Sequence, residues 1–169
     1  MEEKQAQHKR LREIKGVVHL ALAVFLLLCL VSYHPHDPSW THFVAEKKAT
    51  HNFIGPVGSY TADSLIRLLG ISSFLLPLLF LFCSFSYFFR TEFNIHKRRF
   101  LGAVFFAVSL AGLAAVIIKT VTFSGVTLRV GGLIGTAAVQ LLLNYFNIAG
   151  TYILLILIFI ISLIFMAEF

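Results

Sequence analysis

Residues 32–40 read S-Y-H-P-H-D-P-S-W, directly after an apolar run. His34 and His36 stand one residue apart beside Asp37, and imidazole with carboxylate is a donor set for divalent metals. On an extended strand the two histidines would share a face. For His34, His36, His42 and His51 metal ligation is chemically open, but no third ligand sits at a diagnostic spacing, so the sequence assigns no metal. The stretch also has a structural account. Pro35 prevents easy continuation of a preceding helix. Asp37 followed by Pro38 reads as an N-cap with proline at the first helical position. Trp40 then suits a membrane–water interface.

Other chemistry is thinner. The chain contains no G-x-x-x-x-G-K-[ST], H-E-x-x-H or G-x-S-x-G, so no catalytic or cofactor-binding residue is assigned. Cys29 and Cys83 lie inside apolar runs without disulfide or zinc spacing and read as small packing residues.

The elements that must position these residues follow from composition. Of 169 residues, 58% are hydrophobic and 13% charged, well beyond the apolar share of a soluble domain. A bilayer crossing needs about 20 residues of helix, and four segments provide it: about 16–33, 70–89, 100–118 and 148–166. Residues 1–15 form a basic N-terminus, and 16–169 a four-span membrane domain. The first run is too long for a cleavable signal peptide, and no small-residue cleavage site follows it.

Basic residues set the direction. Lys4, Lys9, Arg10, Arg12 and Lys15 precede span one, and Arg90, Lys97, Arg98 and Arg99 crowd the short 2–3 connection. The longer connections carry only Lys47, Lys48, Arg67, Lys119 and Arg129. This asymmetry places both termini in the cytoplasm. The net charge of +6 therefore reflects orientation and anionic headgroups rather than DNA contact.

The two outer connections resemble one another. Residues 55–70 read G-P-V-G-S-Y-T-A-D-S-L-I-R-L-L-G, and 132–150 read G-L-I-G-T-A-A-V-Q-L-L-L-N-Y-F-N-I-A-G. Each opens with G-x-x-G and a hydroxyl residue, continues with helical length, and reaches a glycine before the next span. The unit of span, loop, glycine-led helix and returning span thus occurs twice, as a parallel repeat about the membrane normal. In the first unit Asp63 and Arg67 form an i,i+4 pair with the acid N-terminal. That segment is a helix at the outer interface or tucked against the bundle, or else an extension of span two.

Span three carries Ala103, Ala107, Ala111 and Ala115 at every fourth position, a stripe that permits close helix approach in lipid. Its partner is in the same chain or in another subunit. No Asp, Glu, Lys, Arg or His lies mid-span, which disfavours a single-copy transporter or channel. Pro77 is a candidate kink in span two, with Ser72, Ser73, Ser84 and Ser86 bonding nearby carbonyls.

These residues resemble the N-terminal four-span membrane domain of the FtsK/SpoIIIE family of bacterial DNA translocases. The matching elements are the basic N-terminus, S-Y-x-P-x-D-P-S-W (with Asp37, Pro38, Ser39 and Trp40), and N-x-x-G-x-x-G (Asn52, Gly55, Gly58). Ala62, Asp63, Leu65 and Gly70 follow, then G-G-x-I-G (Gly131, Gly132, Gly135) and Gly150. The resemblance implies an all-α anchor at the division septum of the bacterial cytoplasmic membrane. It further implies homo-oligomers and cell-division membrane proteins as partners, beside the lipid bilayer. A RecA-like motor would follow, and ATP, Mg and DNA belong to it alone. No linker or Walker motif stands before Phe169, and M-A-E-F lacks a basic flank, as in a chain cut at a domain boundary. The rival expectation is an oligomeric channel or transporter subunit lined by the Ser73 and Ser84 face.

Overall fold

A computed structural model describes residues 2–40, 50–89 and 97–166. His42, Lys47, Lys48, Arg90 and the C-terminal 167–169 lie outside the described residues. Helix α1 spans Glu2–Val31, so it starts well before the apolar run and carries the basic N-terminus into it. It ends where the Ser32 hydroxyl donates back to the Leu28 carbonyl at 2.6 Å, ahead of Pro35. Helix α2, Pro56–Leu69, opens with proline at its first position, where the missing N–H costs nothing. A 3-10 turn, Gly70–Phe74, joins it to α3, Leu75–Phe88.

Pro77 does not make the kink expected of it. It lies in the first turn of α3, where its nitrogen needs no helical partner. The break falls instead at Gly70, whose φ is +60°. The serine expectation holds in part. Ser73 donates to the Gly70 carbonyl at 2.7 Å and Ser86 to that of Phe82 at 3.0 Å. Ser84 crosses to the Gly16 carbonyl of α1 at 2.8 Å. The Ser72 hydroxyl is buried without a partner among the described residues.

Helix α4 spans Lys97–Ile117. Then comes an element the hydropathy reading did not foresee, an antiparallel hairpin of β1, Thr120–Phe123, and β2, Val126–Arg129. Its two-residue turn places Ser124 at φ 49° and Gly125 at φ 79°, the left-handed pair that matches strand twist. Helix α5 is Gly132–Leu143 and α6 is Ile148–Met166. Asn147 caps α6 by accepting the Gly150 N–H at 2.9 Å.

The helices form two antiparallel hairpins, α1 with α3 and α4 with α6. In the first, a Cβ on Gly16 would meet Phe88. In the second, Gly102 lies against Phe165 and Gly112 against Leu155. Helix α5 packs on α4, and α2 packs on both α1 and α5, so α2 is tucked against the bundle. The order of α-helices is the same in both halves, the 3-10 turn of the first and the β-hairpin of the second aside. Residues 32–40, 50–59 and 118–147 thus share one end of the bundle (the loop end), opposite the end that carries Lys15 and Arg98.

The interior is inverted relative to a water-soluble protein. Beside Leu30, Val116, Val139 and Leu155, its buried positions include Ala23, Cys29, Ser84, Ala111, Ser109, Thr151 and Ser162, while Leu27, Phe82, Phe105 and Ile160 are exposed. Small and hydroxyl residues inside with large apolar residues outside is what close packing in lipid selects. The Ser84–Gly16 bond tests this directly. Ser84→Ala should lower stability in detergent by about 1 kcal/mol, the usual size of an interhelical hydrogen bond in a membrane, read as a small fall in Tm.

Candidate functional site

The polar residues of the loop end converge on Asp37, which is 3% exposed. Its Oδ1 accepts the His51 backbone N–H at 3.0 Å and the His51 ring Nδ1–H at 2.8 Å. Its Oδ2 accepts the Asn52 N–H at 2.9 Å. Burial alone would raise the Asp37 carboxyl, but the hydrogen bonds from His51 and Asn52 outweigh it and hold it below the ordinary carboxylate range. Asp37 is therefore not an N-cap followed by a helix: Pro38, Ser39 and Trp40 are non-helical. Its carboxylate oxygens hold the returning chain at His51 and Asn52 instead.

Asn52 extends this latch into α1. Its Nδ2 donates to the Cys29 carbonyl at 2.8 Å, satisfying an acceptor in the last turn of α1. Its Oδ1 accepts the Ile54 N–H at 3.1 Å. Ser32 accepts the Phe53 N–H at 2.9 Å, and Ser59 donates to the Pro38 carbonyl at 2.8 Å. Gly58 lies directly beneath: a Cβ there would overlap the Asn52 side chain and come within 2.6 Å of Ile54. Gly55, at φ +75°, turns the chain into α2. The D-P-S-W and N-x-x-G-x-x-G motifs are thus two halves of one structure. Trp40, 80% exposed, rests edge-on against Tyr60 at 5.2 Å between ring centroids.

The histidines also meet. His34 and His51 stack at 4.3 Å, and donor atoms of His34, Asp37 and His51 all lie within 4.8 Å of one another. Of the four histidines left open by the sequence, His51 is the one brought beside His34 and Asp37, returned there by its backbone bond to Asp37. The hairpin tip reaches the same place, with the Ser124 carbonyl 2.9 Å from His36 Nε2.

Deeper in the bundle, Asp63 is buried and pairs with Arg67 Nε at 2.8 Å, the i,i+4 pair expected from spacing. It also accepts the Tyr33 hydroxyl at 3.1 Å, which ties the end of α1 to α2. Sequence reasoning assigned no role to Tyr33, Ser32 or Ser59.

The later glycines are contact points. Gly70 and Gly132 meet where α2 ends and α5 begins, and the Ile71 N–H donates to the Val130 carbonyl at 2.8 Å. Gly131 and Gly135 sit on Ala111 and Ala115 of α4, so that part of the alanine stripe has its partner in the same chain. Ala103 and Ala107, nearer the basic end, are half-buried. Gly150 lies in the first turn of α6, against Phe146. Ser73 and Ser84 are buried inside the chain and hydrogen-bonded to backbone carbonyls, so their face is not presented to a lumen between subunits.

Four helices long and apolar enough to cross a membrane, inverted packing and a latched loop end define a polytopic four-span helical membrane domain. The family described as the 4TM region of DNA translocase FtsK/SpoIIIE matches residues 8–169, and the chain belongs to it. The protein named DNA translocase FtsK from Pseudomonas syringae pv. syringae is 28% identical over 166 residues, covering 95% of this chain and 20% of that protein. Its counterpart in Shewanella oneidensis is 29% identical over 158 residues, covering 88% of this chain and 16% of that protein. In Azospirillum brasilense the match is 39% over 69 residues, covering 41% of this chain and 11% of that protein. The chain spans about a fifth of the length of the first of these relatives and about a sixth of the second. The matched portion is the membrane region and not the ATPase motor. Family and helices together make this an inner-membrane domain. No solved structure matches.

Proposed function

We propose that the domain is the membrane anchor and septum-assembly module of a DNA translocase that serves cell division and chromosome segregation, with no catalytic chemistry of its own. The observation that carries this reading is the Asp37–Asn52 latch. The polar groups of the family motifs bind the chain's own backbone. They hold a loop-end surface with Trp40 exposed on it.

Nine basic residues in the N-terminal segment and the 2–3 connection against five in the two longer connections support cytoplasmic termini and an extracytoplasmic loop end. In this arrangement the domain's partners are the bilayer, further copies of itself and the membrane proteins of cell division. DNA, ATP and Mg are handled by the motor of the full-length protein. A fluorescent fusion of residues 1–169, expressed in its native host, should concentrate at midcell. Uniform labelling of the cell envelope would overturn septal recruitment.

A further inference from the structure

We propose that His34, Asp37 and His51 bind one divalent transition-metal ion, zinc by donor chemistry, which clamps the loop end. Two imidazoles and one carboxylate are a ligand set suited to zinc, with a fourth position left for water. The three donors are within 4.8 Å of one another. Tetrahedral zinc bonds of about 2.0–2.2 Å set donors roughly 3.3–3.5 Å apart, so the His51 Nδ1–Asp37 Oδ1 pair at 2.8 Å must open slightly and the wider separations must close. His51 is 67% exposed at its side chain, and among the described residues both His34 ring nitrogens make only long contacts, 3.4 Å to the His36 N–H and 3.5 Å to Ser124 Oγ. Both rings can therefore turn toward the ion.

Asp37 is fixed by backbone N–H groups of His51 and Asn52 and stays in place while the rings move. An ion seated here replaces the ring proton of the His51–Asp37 hydrogen bond, and that proton passes to Nε2 or to solvent. His34 follows the end of α1, and His51 precedes α2, so the metal would cross-link the two ends of the first loop. The Ser124 tip of the hairpin lies against His34 and His36, so the ion would also set where the second half of the chain rests on the first.

The test uses the full chain, purified without a polyhistidine tag in detergent and stripped with chelator. Cobalt(II) and zinc(II) are then titrated in separately. One equivalent of cobalt should bind with visible d–d absorption, be displaced by zinc, and raise Tm. His34→Ala and His51→Ala should each weaken binding by about tenfold or more, while His19→Ala leaves it unchanged. Since neither histidine supports the fold through its ring alone, both variants should stay folded, as circular dichroism can verify. Absence of stoichiometric binding, or undiminished binding by the His34→Ala/His51→Ala double variant, would overturn the proposal. The outcome is independent of whether the domain concentrates at midcell.

Discussion

Asp37→Ala should unlatch the loop end while leaving the four spans in place. The substitution removes an ionised acceptor from three hydrogen bonds and strands the N–H of Asn52, a buried residue. A hydrogen bond to a charged group is worth about 1.5–3 kcal/mol, and the ring bond of exposed His51 contributes least. The summed loss is about 3–5 kcal/mol, the range found when one partner of a buried charge contact is deleted. That is a large fraction of the 5–15 kcal/mol that holds a typical domain together. The spans are less sensitive, because their backbone bonds are internal and have no competing water in lipid.

The opening should therefore be local, and the chain contains its own reporter. Cys29 is fully buried, and its carbonyl takes the Asn52 amide. In a Cys83→Ser background, Cys29 should resist maleimide in detergent-solubilised protein and react readily once Asp37 is alanine. Asp37→Asn should fall between the two, since an amide keeps one acceptor oxygen and turns a donor toward an N–H. Equal labelling of Cys29 in all three proteins would show that the latch does not hold the loop end closed.

The latch also shows what the sequence could and could not convey. The four spans were legible because lipid demands long apolar helices, and the Asp63–Arg67 pair because i,i+4 geometry is local. Asp37 was misread because D-P is a sound local signal for a helix start, and the competing partners lie 14 and 15 residues away. Distance along the chain also concealed that His51, rather than His36, is the histidine grouped with His34 and Asp37. The β-hairpin was within reach: V-T-F-S-G-V-T-L-R alternates about a Ser-Gly turn. Hydropathy averaging passed over it as part of a loop. The partner of the alanine stripe was invisible for a different reason. A small residue declares that something comes close, but Gly131 and Gly135 make the contact only after α5 has folded back on α4.

The meeting of Gly70 with Gly132 should be the least tolerant point in the chain. A Cβ on Gly70 would overlap the Val130 carbonyl and lie 2.5 Å from the Gly132 nitrogen. Both obstacles are backbone, so no rotamer change relieves them. The φ of +60° adds about 1–2 kcal/mol for an L side chain, and separating the segments breaks the Ile71–Val130 bond. Gly70→Ala should thus cost more than about 4 kcal/mol, a size that single substitutions seldom reach. Gly125→Ala isolates the backbone part of that cost: its φ is +79°, but nothing lies within 4 Å of the added carbon. It should lose only the 1–2 kcal/mol of strain. Gly132→Ala meets the same crossing from the other side, 2.5 Å from the Gly70 nitrogen and 2.6 Å from the Leu68 carbonyl. Once either alanine has forced the segments apart, the second has little left to disrupt. The Gly70→Ala/Gly132→Ala double variant should therefore be barely less stable than the worse single one, a non-additivity that neighbouring sites produce. Melting in detergent measures the four proteins together, and faster trypsin cleavage after Arg129 would report the freed hairpin. Additive losses would mean that the two glycines are needed separately, for their own backbone angles, and that the close approach between the halves is not what holds them.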